Sequence, residues 1–251
     1  MKQAVRSLLA ALGYRIEGVR YTPRQLFDVG ALRNLELDDV ICRHMFENGE
    51  DCVFVQVGAY DGLSTDPLRK FIARCGWRGV MLEPQPGPAS QLRDLYPEGC
   101  GITILEAALD SVQGTRSLFT VESDQVPKWA GGMASFDRDH IAKHDYLIPG
   151  IAQMVRELQV PAITFDDVLP HLPGARLDLL QIDAEGADGF ILSLFPFVRL
   201  KPAIVHWEIK NMTREKQEAA LDLMLSHGYR IARSGSEDML AVLDSVLDSG
   251  A

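Results

Sequence analysis

Apolar and polar positions along the chain follow two alternating periods. Short apolar runs stand at 53–57 (VFVQV), 79–83 (GVMLE), 101–105, 177–182 (LDLLQI) and 203–207. Each reads as a short, largely buried strand. Between them lie stretches with helical spacing: about 67–75, closed by Gly76; a turn at Pro84–Pro88 and a helix to about Tyr96, closed by Pro97; a helix to about Phe195; and 213–227, closed by Gly228. Strand and helix in alternation predict a parallel sheet with right-handed crossovers. Two more apolar runs, 229–233 and 238–243, are separated only by the turn 234–237. A turn that short predicts antiparallel neighbours. The pattern is therefore an α/β fold with a seven-stranded, mostly parallel sheet whose last strand is antiparallel.

Two regions depart from this rhythm. Residues 1–50 read as an N-terminal helical extension, an appendage to a domain spanning 51–251. Within it, 37–46 carries helical spacing behind Asp38 and Asp39. The apolar stretch 8–12 is too short for a membrane span and, with Arg6 and Ser7 before it, a weak signal peptide; an amphipathic helix ending at Gly13 is expected. Residues 110–165 read as an insertion. It holds a strand at 116–121, a polar stretch at 124–149 with Gly131 and Gly132, and a short strand at 162–165 leading to caps at Asp166 and Asp167. Insertions of that length act as lids or substrate loops.

The bulk numbers narrow the partners. The chain has 251 residues and a net charge of −10 with no basic run, which argues against nucleic acid and anionic membranes. Its four cysteines, Cys42, Cys52, Cys75 and Cys100, form no CxxC pair. They are expected to be buried thiols without chemistry, in a cytoplasmic protein.

The chemistry gathers at the strand ends, where open α/β sheets bind ligands. Strand one runs into Gly58-Ala59-Tyr60-Asp61-Gly62, a tight turn that lets a ligand approach the backbone. Ser64, Thr65 and Asp66 are cap candidates for the next helix, whose free N–H groups would face that ligand. Strand two ends in Glu83, placed to accept both hydroxyls of a ribose. Strand three ends at Glu106-Ala107, strand four at Asp183 with Glu185, and strand five at His206-Trp207-Glu208. A dinucleotide fingerprint needs a third glycine that is missing here, and Asp61 would repel a pyrophosphate. S-adenosylmethionine, with a diol, an ammonium and a sulfonium but no phosphate, suits these carboxylates better.

Taken in order, VFVQVGAYDG, VMLEPQP, ILEAAL, ITFDDVLP, LDLLQIDAEGAD and AIVHWEI resemble the FkbM family of methyltransferases, over about residues 50–243. The resemblance implies a Rossmann-like class I methyltransferase fold and methylation of hydroxyls on sugars, polyketides and related natural products. It implies that Gly58, Ala59 and Gly62 form the cofactor turn, that Glu83 binds the ribose, that Glu106 and Ala107 lie near the adenine, and that Asp183 lies near the methyl group. Gln56 stands where many members of the wider fold carry an acid. Its amide oxygen still accepts from an amine, and Asp61 is the expected substitute charge.

Deprotonating an acceptor hydroxyl takes a general base or a metal ion. Asp183, His206 and Glu208 are the candidate catalytic groups. Asp183 and Glu208, with Asn211 a distant third, are candidate ligands for Mg²⁺. His140 and His144, flanked by Asp139 and Asp145, are expected on a solvated lid helix. Trp129 is the candidate for substrate stacking, and Trp207 for the core. The partner implied is a small hydroxylated acceptor; a homo-oligomer is compatible with the pattern. A non-catalytic cofactor-binding module and an NAD-dependent oxidoreductase are the competing readings.

Overall fold

The computed structural model describes residues 34–64, 66–121 and 126–247. The expected helix ending at Gly13 lies outside them, as do Thr65, Asp124 and the side chain of Trp129. In chain order the elements are α1 (Leu37–Asn48), β1 (Val53–Val57), α2 (Arg69–Cys75), β2 (Arg78–Leu82), α3 (Pro86–Leu95), β3 (Ile102–Leu105), β4 (Ala108–Leu109), β5 (Gly114–Val121), α4 (Arg138–Ala142), α5 (Ile151–Met154), β6 (Val155–Ile163), α6 (Phe165–Val168), β7 (Leu179–Ile182), α7 (Asp188–Leu194), β8 (Ile204–Glu208), α8 (Arg214–Ser226), β9 (Arg230–Ser234), β10 (Asp238–Val242) and α9 (Asp244–Leu247).

Seven strands form the main sheet in the order β3-β2-β1-β7-β8-β10-β9. β10 runs against both its neighbours, and the other pairs are parallel. This is the class I methyltransferase arrangement. The order turns back between β1 and β7, so the connections leaving them diverge and open a crevice at their carboxyl ends. Among the described residues no helix is long and apolar enough to cross a membrane.

β1 is buried along its whole length, and its side-chain alternation divides the core in two. Phe54 packs with Ile41, Met45, Phe71 and Trp77 on one face. Val53, Val55 and Val57 join Ile191, Leu192, Trp207 and Met224 on the other. α1 contributes Leu37, Val40, Ile41 and Met45 to the first cluster, so it packs into that core. A polar staple fixes it there. His44 Nε2 meets Asp178 Oδ1 at 2.7 Å, while Asp178 Oδ2 accepts from Val53 N–H and from Arg176 Nε–H, each at 2.8 Å. Burial alone would raise the Asp178 pKa, but these donors outweigh it and the pKa falls. Cys52 lies beside this pair, its thiol pushed up by burial. His44 Nδ1 is engaged by Asn48 Nδ2 at 3.2 Å, so the cluster works as a structural lock at the amino ends of the strands.

The insertion is a second sheet, β4-β6-β5. β5 pairs with β6 from Gly114↔Ala162 to Val121↔Val155. The expected strand at 162–165 is instead the end of a nine-residue strand. Its sequence, VRELQVPAI, hid it. Both faces are partly exposed, so apolar alternation is weak, and Pro161 reads as a strand breaker. Cys42 and Cys52 are buried as expected, whereas Cys100 is exposed.

Candidate active site

A cavity of about 590 Å³ opens over the carboxyl ends of β1, β2, β7 and β8, beneath the insertion. Glu83 is its best-defined feature. The side chain is buried, and its two oxygens accept from Tyr60 N–H and Gln85 N–H, both at 2.9 Å. The Gln85 side chain also bonds it, and the carboxylate, with about four lone-pair sites, keeps capacity for a hydroxyl donor. Burial pushes Glu83 up to about 7, against the pull of those amides.

The turn beneath it is tightly built. Gly58 has φ +78, and a Cβ there would stand 1.7 Å from the Asp183 carbonyl oxygen. Only glycine lets the β1 and β7 loops meet. Tyr60 holds φ 48, an uncommon conformation for a tyrosine. Its ring lies against Gly131 and Gly132 of the insertion.

The crevice is lined by Gln56, Gly58, Ala59, Glu83, Ala107, Asp183 and Glu208. Asp61, Gly62, Glu106 and His206 do not line it. Asp61 is committed to its own turn: Oδ1 accepts from Leu63 N–H and Ser64 N–H, at 2.8 and 2.7 Å, and Oδ2 from the Ser64 hydroxyl at 2.7 Å. Its carboxylate therefore serves its own turn and does not line the cavity. Gly62 backs onto Leu92 and Leu95 of α3. Glu106 pairs with Arg93 at 2.8 Å. His206 shares a strand face with Glu208 but sits one pleat deeper, bonded through Nδ1 to Gln181 Oε1 at 2.7 Å. Burial drives its pKa down to about 4, so it stays neutral and out of reach of an acceptor. The helix α2 begins only at Arg69, and its N-cap Leu68 makes no side-chain cap. Its N-terminus is therefore not presented directly after the glycine turn.

The far end of the cavity is acidic. Asp183, Glu185, Glu208, Glu237 and Asp238 line it, against Lys210 and His144. Burial, then repulsion from Asp188, Glu185 and Asp238, pushes Asp183 up to about 8. Its side chain faces the open cleft, where water screens part of that repulsion. Among the described residues nothing hydrogen-bonds it. Glu208 rises to about 8 through burial and Asp183, and Asn211 Nδ2–H holds it at 2.9 Å. Asp183 and Glu208 share the cavity, but among the described residues no three His, Cys, Asp or Glu donors converge there.

Several participants were not read from the sequence. Asp188, fully buried, accepts from the amides of Ala184, Gly186 and Glu208 and so ties the β7 loop to the end of β8. Its place in DAEGAD, three residues past the paired acids, was the available signal. His140 was expected on a solvated face. It is buried, its Nε2 3.3 Å from Glu185 Oε2, and Lys143 Nζ lies 3.2 Å from its Nδ1. Lys143 also donates to Asn211 Oδ1 at 3.3 Å, so the lid closes on the acidic end. His144, by contrast, lines the cavity. Asp66 lines it too, bonded to Gln56 Nε2 at 3.1 Å.

The donor set fits a ligand with a diol and positive charge. Among the described lining residues Lys210 is the one lysine or arginine, and it is paired with Glu237 at 2.9 Å. A pyrophosphate would meet carboxylates with little to neutralise it.

A family model, described as the methyltransferase FkbM domain, matches residues 56–231. The chain belongs to the FkbM methyltransferase family. Among curated proteins none matches it. Of solved structures, an FkbM methyltransferase from Methylobacillus flagellatus is 15% identical with a TM-score of 0.48, covering 80% of this chain and 47% of that one. The FkbM chain described here thus spans about half the length of that protein. Precorrin-6y C5,15-methyltransferase from Geobacter metallireducens is 13% identical, with TM-score 0.41 and coverages of 84% and 93%. An O-methyltransferase from Bacillus cereus in complex with SAH is 10% identical, with TM-score 0.40 and coverages of 96% and 90%.

Proposed function

We propose that this FkbM domain is an S-adenosylmethionine-dependent O-methyltransferase acting on a hydroxyl of a small polyhydroxylated acceptor, such as a sugar, a glycoside or a polyketide-type product. The observation that carries the reading is a single cavity with a diol-accepting carboxylate, Glu83, at one end and an unpaired carboxylate, Asp183, at the other. Gly58 and Ala59 form the floor between them. The cofactor would supply an electrophilic methyl group on a sulfonium centre. The chain's part is to align the acceptor oxygen and remove its proton. Asp183 is the group proposed to take that proton, with Glu208 and Asn211 orienting the acceptor. A positioned base of this kind contributes about 10²–10⁴-fold.

Titration calorimetry with S-adenosylhomocysteine tests the donor. Binding is expected, and Glu83→Ala should weaken it about 10- to 100-fold by removing a charge-assisted hydrogen bond. No heat at millimolar ligand would end the proposal. Incubation of labelled S-adenosylmethionine with a panel of polyhydroxylated acceptors tests the reaction: label should appear as a methyl ether.

A further inference from the structure

Two buried acceptor atoms in the cavity wall have no hydrogen-bond partner among the described residues: Gln56 Oε1 and Asp66 Oδ2. They belong to residues already bonded to each other. Gln56 Nε2 donates to Asp66 Oδ1 at 3.1 Å, and Asp66 Oδ1 also accepts from Leu68 N–H at 2.8 Å. One atom of each side chain is used to fix the pair, and one is left over. The Gln56 amide cannot simply be turned over, because its oxygen would then face the Asp66 carboxylate. Gln56 is only 3% exposed, so bulk water does not satisfy it. Orphaned buried acceptors are disfavoured in folded proteins and call for a donor.

The chemistry of the missing donor follows from the pair. One acceptor is neutral and the other belongs to a carboxylate. The nearest cation, Arg69, points its Nη1 at the Gly62 carbonyl oxygen, 3.5 Å away. A hydroxyl has one proton and would satisfy one acceptor. A divalent ion requires more oxygen ligands than these. An ammonium carries three N–H donors and a charge. It would satisfy both acceptors and neutralise Asp66.

We propose that Asp66, held in place by Gln56, is the group that receives the amino group of the donor's amino-acid tail. This rests on the reading of the cavity as an S-adenosylmethionine site. It assigns to Asp66 the charge that Gln56 lacks and that Asp61, serving its own turn, does not bring to the cavity.

The test compares two ligands by calorimetry. S-adenosylhomocysteine carries the amino-acid tail; 5′-methylthioadenosine keeps the adenine, diol and sulfur but has no tail. Asp66→Asn should weaken S-adenosylhomocysteine about 10- to 100-fold, the worth of a charged hydrogen-bond pair, and leave methylthioadenosine within about twofold. Adding Gln56→Glu to Asp66→Asn exchanges acid and amide across the same hydrogen bond and should restore most of the lost affinity. If Asp66→Asn fails to fold, Gln56→Met carries the test, with a selective loss of about three- to tenfold expected from one deleted acceptor. Equal weakening of both ligands, or no weakening of either, would overturn the assignment. Unmodified protein that binds neither ligand at millimolar concentration would overturn the cofactor reading and this inference together. That outcome is distinct, because it appears before any substitution is made.

Discussion

Gly58 and Asp183 meet backbone to backbone, and this contact sets the width of the crevice. Alanine at position 58 would combine an unfavourable left-handed conformation with a clash against a carbonyl that belongs to the sheet. Gly58→Ala is expected to lower stability by about 2–5 kcal/mol, summing the two penalties. A urea melt checks this; an unchanged midpoint would mean that the β1 and β7 loops can separate freely. At Asp183 itself, burial and the surrounding acids hold the pKa near 8. A carbon-detected carboxylate titration should show one aspartate signal with a midpoint about there, absent in Asp183→Asn. The sign for catalysis follows. A base acts when deprotonated, so methyl transfer should rise with pH through the same range. If every aspartate titrates below pH 5, Asp183 is not the poised base.

The insertion and the sheet are joined through the residues that Glu83 holds. Glu83 accepts from the amides of Tyr60 and Gln85. The ring of Tyr60 lies against Gly131 and Gly132. The Gln85 side chain accepts from the Thr120 hydroxyl of β5 at 2.7 Å, in a buried contact. Thr120→Val leaves Gln85 Oε1 without its donor and should cost about 1–3 kcal/mol. The loss should be local. Hydrogen exchange should quicken in β5 and β6 while β1 and β7 keep their protection. Uniform quickening would show that the insertion unfolds only with the whole domain. These links explain what could be read in advance. β1, β2, β7 and β8 are continuous apolar runs because both faces of the sheet are covered, and they were legible. β6 was not, because a strand partly exposed on both faces leaves little periodicity. That Glu83, Asp183 and Glu208 would line one cavity was legible, because strand ends converge in any doubly wound sheet. The bonds made by Asp61, Asp66 and His206 were not, because spacing does not encode which neighbour each side chain meets.

The whole molecule carries a net charge of −10, and five acids with raised pKa values sit at one edge of the sheet. Glu83 and Asp188 are raised to about 7, Asp183 and Glu208 to about 8, and Asp238 to about 6, in each case by burial first. A carboxylate raised in the folded state binds its proton there before it would in the unfolded chain. Folding is therefore favoured as pH falls from 8 towards 5. His206 opposes this. Its pKa is lowered to about 4, so the unfolded chain gains a proton that the folded one refuses as pH drops below the ordinary histidine value. Five raised carboxylates against one histidine decide the sign. The thermal midpoint is expected to climb between pH 8 and about pH 5. Each net kcal/mol is worth roughly 2–4 °C in a chain of this size. Below the ordinary aspartate value the trend should reverse. Asp178 and Asp110 have lowered pKa values because their donors outweigh burial, and the stability they contribute is lost as they take up protons. Asp188→Asn should flatten the climb, because a buried amide at that position has no proton to gain. A midpoint that falls steadily from pH 8 to pH 5 in the unmodified protein would mean that burial, with repulsion added to it, does not raise the acids at the crevice, and the raised Asp183 on which the proposed base depends would go with them.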